Sequence, residues 1–153
     1  YVAIVVNILL WGCESWILTN EDRKKLEVFH SRCCRRILNV SIYYVIANHE
    51  LTNKHILRTV GINTMESLLE LRRARWLEKL SHMKPTRIPR LILGSWIQQP
   101  RRNGQAGRAQ HTNKHGYVQT LLTLGFSGNM SFSDWMPIAQ NRKIWAKRVE
   151  HFL

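Results

Sequence analysis

Apolar residues in this chain recur at helical spacing and nowhere alternate long enough to build a strand face, which confines the chain to a helical architecture. The clearest stretch starts at Thr19. Its hydroxyl and the carboxylate of Asp22, three residues on, are placed to cap each other's backbone N–H groups. Leu26, Phe29, Cys33 and Ile37 then follow at spacings of three, four and four, and the helix runs to about Leu38 with Arg23, Lys24, Arg32, Arg35 and Arg36 on its other faces. Cys33 reads as a small core residue and Cys34 as lying nearer the boundary. A second helix is predicted from about Glu50 to Val60, stopped by Gly61. A third starts from an Asn63 cap with Glu66 at its third position and carries Leu69, Trp76, Leu80 and Met83 as its stripe.

Beyond Pro85 the pattern dissolves. Residues 85–116 contain three prolines, four glycines and six basic residues without one acid, which reads as a flexible cationic arm, although Leu91-Ile92-Leu93 and Trp96 have the character to dock locally. Tyr117 to Leu124 is predicted as a short helix stopped by Gly125, and 127–133 as a polar turn. A last helix starts near Pro137 and runs to the end, with Trp145 in the core. The apolar opening, Tyr1 to Trp11, is about half of what a bilayer requires and is read as a core segment. The expected fold is mainly α: a small, thumb-like helical bundle over 1–84, a basic Pro/Gly-containing arm over 85–116, and a C-terminal helical segment over 117–153 packing on the bundle.

Charge narrows the partners. Twenty-three Lys and Arg against ten Asp and Glu leave +13 on 153 residues, which favours a polyanion. Three cysteines, Cys13, Cys33 and Cys34, make no even framework, so disulfides are not expected and a reducing, intracellular setting is. His30 and Cys33 have ligand spacing on a helix, but no second pair completes a zinc set, and neither a metal nor another cofactor is assigned. Asp22 and Asp134 are the only aspartates and each lies beside a predicted helix start, so the paired carboxylates of two-metal nucleotidyl transfer are missing; no phosphate-cradling glycine loop, dinucleotide fingerprint or nucleophile elbow is present. No catalytic residue is assigned.

Six segments, in order, carry a resemblance to a known family. Leu10-Trp11-Gly12-Cys13-Glu14-Ser15-Trp16-Ile17-Leu18-Thr19 is similar to "YGCESWTLT". Leu26 to His30 with Arg32 to Leu38 is similar to "LExFxxRCLRRIL", and Asn53 to Gly61 to "TNxxxLxxTG". Arg72 to Met83 resembles "RRLRWLGHVLRM", with Glu78-Lys79 standing where the family has Gly-His. Arg87-Ile88-Pro89 resembles "DRLP", and Trp135, Ala139 to Arg142 and Trp145 resemble "WxxLAQDRxxWR". Together the six resemble the region that follows the palm in reverse transcriptases of non-LTR (LINE-type) retrotransposons.

The resemblance implies a non-catalytic thumb-and-tail fragment that grips template-primer, RNA or RNA–DNA hybrid, through phosphate contacts, in an intracellular and nuclear setting with no membrane partner. The palm and fingers, with their aspartates, are then expected upstream, in keeping with a chain that opens on Tyr1 rather than Met. The expected phosphate-binding residues are Arg32, Arg35 and Arg36 of the first long helix, Arg72, Arg73 and Arg75 of the third, and Arg101, Arg102 and Arg108 of the arm. The competing expectation is a helical protein-interaction or architectural domain derived from such an element, using its Trp-rich surface.

Overall fold

The computed structural model describes residues 1–47, 52–98, 113–127 and 131–152, and among these the chain is mainly helical, with no strand. It divides into an inserted unit, Leu18–Leu68, and a core unit made of Tyr1–Ile17 and Leu69–Leu153, rather than at 84 and 116. The reason is that residues 71–93 and 117–152 share one apolar cluster.

In the core unit a π-helical turn, Val2–Val6, runs into a short α1, Asn7–Leu9, and a 3₁₀ turn, Cys13–Ser15. This opening is core only in part: Val6, Leu10 and Cys13 are buried, whereas Val2, Ile4, Val5, Ile8 and Trp11 are exposed.

The inserted unit carries α2, Asn20–Ile37, whose capping box forms as expected: the Asp22 N–H donates to Thr19 Oγ1 at 3.2 Å and the Thr19 N–H to Asp22 Oδ2 at 3.0 Å. Its buried face is not the expected stripe. His30, Ser31 and Cys34 are buried, while Phe29 and Ile37 are exposed and Cys33 is half-buried, so the two cysteines exchange roles. Polar ties decide this rotation. His30 Nε2 lies 2.9 Å from the Asn63 carbonyl, the Met65 N–H donates to Glu27 Oε2 at 3.0 Å, and Arg23 pairs with Glu66. Asn39, in the left-handed region at φ 54°, ends α2.

Helix α3, Ile42–Ala47, has no counterpart in the sequence reading. Helix α4, Asn53–Val60, is capped by Thr52 and ended by Gly61, whose φ of 70° is the conformation a Cβ disfavours. Helix α5, Met65–Ser81, starts one residue later than expected: Thr64 Oγ1, not Asn63, accepts from the Ser67 N–H at 3.2 Å.

From Leu69 onward α5 belongs to the core unit and is buried on more than one side, through Leu71, Ala74, Leu77 and Leu80. Its last carbonyls are satisfied from elsewhere: Gln140 Nε2 donates to the Ser81 carbonyl at 2.9 Å and Arg90 donates to that of Met83. Residues 88–98, expected as linker, form α6, Ile88–Gln98, because Pro89 is tolerated in a first turn and Leu93 reaches the core. Helix α7, Asn113–Thr123, contains Gly116, where a Cβ would stand 3.0 Å from the Arg73 guanidinium carbon.

The single last helix is instead two. Helix α8, Phe132–Gln140, starts from a Ser131–Asp134 capping box, and α9, Arg142–Val149, from Asn141. Pro137 sits inside α8 and has no N–H for the Ser133 carbonyl; the backbone turns out of the helix at Asn141 (φ −85°, ψ 96°). Trp135 and Trp145 fill the centre, and Trp145 Nε1 donates to the Ala74 carbonyl at 3.1 Å.

Candidate nucleic-acid interface

In the core unit the turn after α1 and one side of α5 border an open groove of about 810 Å³. Leu10 and Cys13 are wholly buried and anchor the turn on both sides, Gly12 takes a left-handed φ of 70°, and Trp11 between the anchors is left 83% exposed. The Tyr117 hydroxyl donates to the Glu14 carbonyl at 2.8 Å and holds the far side of the turn. Burial, reinforced by the Glu14 charge and opposed by Arg72 and Arg73, pushes the Cys13 thiol up to about 11. Burial also pushes the Tyr117 phenol above its ordinary range, with Arg73 opposing. Both groups therefore stay protonated near neutrality and act as supports, not as nucleophiles.

Across the groove α5 presents Arg72, Arg75 and Lys79, with Trp76 among them. Arg72 is held by a hydrogen bond to Asn7 Oδ1, Arg75 and Lys79 are exposed, and Lys79 Nζ stands 5.4 Å from the centre of the Trp76 ring. The floor and far wall are apolar, from Leu80, Ile88, Pro89 and Ile92, and the lining contains one acid, Glu14. Three cations facing one cleft repel each other until an anion enters.

The expected site residues separate. Arg72 and Arg75 share the groove. Arg73, between them, is 2% exposed and lies against Gly116 of α7, so it is a core residue; a helix packed on several sides turns the middle of an Arg-Arg-Ala-Arg run inward. In the inserted unit Arg32, Arg35 and Arg36 line a second cavity of about 260 Å³ with Val40 and Ile42, and Arg35 Nη1 donates to Asn53 Oδ1 at 3.0 Å. Arg101, Arg102 and Arg108 lie outside the described residues, as does His111.

Sequence reasoning missed Lys79, Trp11 and Asn7. For Lys79 the signal was present, three residues after Trp76 and four after Arg75 on one helix face; for Trp11, an apolar run is silent about which ring points out. Among the described residues no group of three or more His, Cys, Asp or Glu could hold a metal, and no helix is long and apolar enough to cross a membrane. No family model matches this chain, and no curated protein or solved structure does either.

Proposed function

We propose that this chain binds nucleic acid, as the thumb-and-tail portion of a non-LTR-type reverse transcriptase, and makes no bonds itself. The observation that carries this is the single groove in which Arg72, Arg75 and Lys79 stand beside Trp11 and Trp76. Guanidinium and ammonium groups neutralise phosphate, and aromatic rings supply sequence-tolerant contact with bases. A net charge of +13 and the six ordered sequence resemblances agree with it, and Arg32, Arg35 and Arg36 offer a second cationic site in the inserted unit.

The test is a filter-binding titration of the chain with single-stranded RNA and with RNA–DNA hybrid over a salt series. Three phosphate contacts in the groove give a slope of log affinity against log salt of about −2 to −3, and six contacts, with the second site included, about −4 to −5. Salt-independent or absent binding overturns the proposal. The competing role, docking of a protein partner, is favoured by the exposed Val2, Ile4, Val5 and Ile8. It makes the opposite forecast: a partner interaction that survives high salt and is lost in Ile4→Asp with Ile8→Asp.

A further inference from the structure

We propose that the groove receives an unpaired base stacked on Trp11, so that the site selects single-stranded over duplex nucleic acid; this deepens the nucleic-acid reading above and rests on it. A tryptophan left 83% in water is unusual for so large an apolar side chain, and its position is not that of a frayed end. The residue before it, Leu10, and Cys13 two residues after it are wholly buried, and Tyr117 fixes the Glu14 carbonyl beyond them. The ring is thus held out by a seated turn, and little additional order is needed when something lies against it.

The neighbouring aromatic cannot serve equally. Trp76 is half-buried, and Lys79 stands over its ring at 5.4 Å. Trp11 has no ring or cation partner among the described residues and is the stacking surface of this groove, while Lys79 and Arg75 are exposed at the distance of one helical turn from each other, suited to the phosphates flanking a base. Paired bases in a duplex have both faces covered by their neighbours and offer only their edges in the grooves. A single strand can splay a base onto a ring, and every base has a face to offer, so the preference is for strandedness rather than sequence. The groove volume, about 810 Å³, falls within the range of about 300–1,000 Å³ typical of sites that enclose a small ligand.

The experiment compares three probes of equal length with the whole 153-residue chain at one fixed salt concentration: a single-stranded oligothymidine, the same strand in a blunt duplex, and the same strand with its bases removed. The single strand binds most tightly, and the abasic strand binds about 5- to 150-fold more weakly, the range that corresponds to one stacked base. Trp11→Ala loses a similar factor on the single strand, and its ratio of single-strand to duplex affinity falls toward one, whereas Trp11→Phe retains part of it. Equal binding of single strand and duplex by the unaltered chain, or no penalty for removing the bases, overturns this proposal while leaving phosphate binding intact. Failure of all three probes to bind overturns the nucleic-acid reading itself. Because the abasic comparison uses the unaltered protein, the outcome does not depend on whether a variant folds.

Discussion

The two units of the chain stand on different physics. The core unit is held by apolar contact: Trp135, Trp145, Leu77, Leu121 and Ala139 are buried together, and hydrogen bonds such as that from Trp145 to Ala74 fit inside that packing. The inserted unit buries a few apolar residues, Cys34, Ile56, Leu57 and Met65 among them, and is drawn together by directional ties at His30, Glu27, Arg23 and Arg35. The same difference sets the fate of arginines. Where packing surrounds a helix, one arginine of Arg72, Arg73 and Arg75 is consumed as core; where one helix face carries the ties, Arg32, Arg35 and Arg36 all reach a common cavity.

Variants can break this contrast. Trp145→Ala removes a buried ring and a donor from the packed centre, and a loss of about 3–5 kcal/mol in urea denaturation is expected. A value near 1 would mean the core unit is not held by packing. In the inserted unit a polar residue should matter too: His30→Leu puts an apolar side chain in place of the ring and leaves the Asn63 carbonyl without this partner, for about 1–3 kcal/mol. If His30→Leu is neutral or stabilising, the ties are incidental. Thr19→Ala removes the α2 cap, worth about 1 kcal/mol, measured as faster amide exchange in the first turn of α2.

The two units should also respond oppositely to pH, as small effects seen by far-ultraviolet circular dichroism. In the inserted unit hydrogen bonds from the Thr19 side chain and backbone hold the Asp22 carboxyl below its ordinary 3.8, so folding favours the ionised form. That contribution is present above pH 3.8 and is lost as pH falls through the lowered value. In the core unit the Cys13 thiol is raised from 9.0 to about 11, so folding favours the protonated form. Its contribution is intact at pH 9 and below and is lost as pH rises toward 11. Thiol labelling reads the rotation of α2: half-buried Cys33 should react before buried Cys34, and before buried Cys13 of the core unit.

What could be read from the sequence follows the range of the interaction. Thr19 with Asp22, and Gly61 and Gly125 as stops, are signals within a few residues, and the structure contains them. Arg72 and Arg75 were legible because any helix places residues three apart on neighbouring surface. The rotation of α2 was not, because it depends on Asn63, Met65 and Glu66, more than thirty residues away, and Leu26, Phe29, Cys33 and Ile37 make a regular stripe regardless. The interior position of Arg73 was hidden for a related reason: its neighbour Gly116 lies on α7, where a Cβ would stand 3.0 Å from the guanidinium carbon, and nothing near Arg73 in sequence announces that approach.

The bond from the Tyr117 hydroxyl to the Glu14 carbonyl joins positions 103 apart in sequence. The turn that carries Trp11 therefore gains this tie only once the intervening span has closed on itself, since closure of so long a span precedes any benefit from it. A chain cut before Tyr117 would lose this tie while keeping Arg72, Arg75 and Lys79, which would separate the seating of the Trp11 turn from the cations beside it.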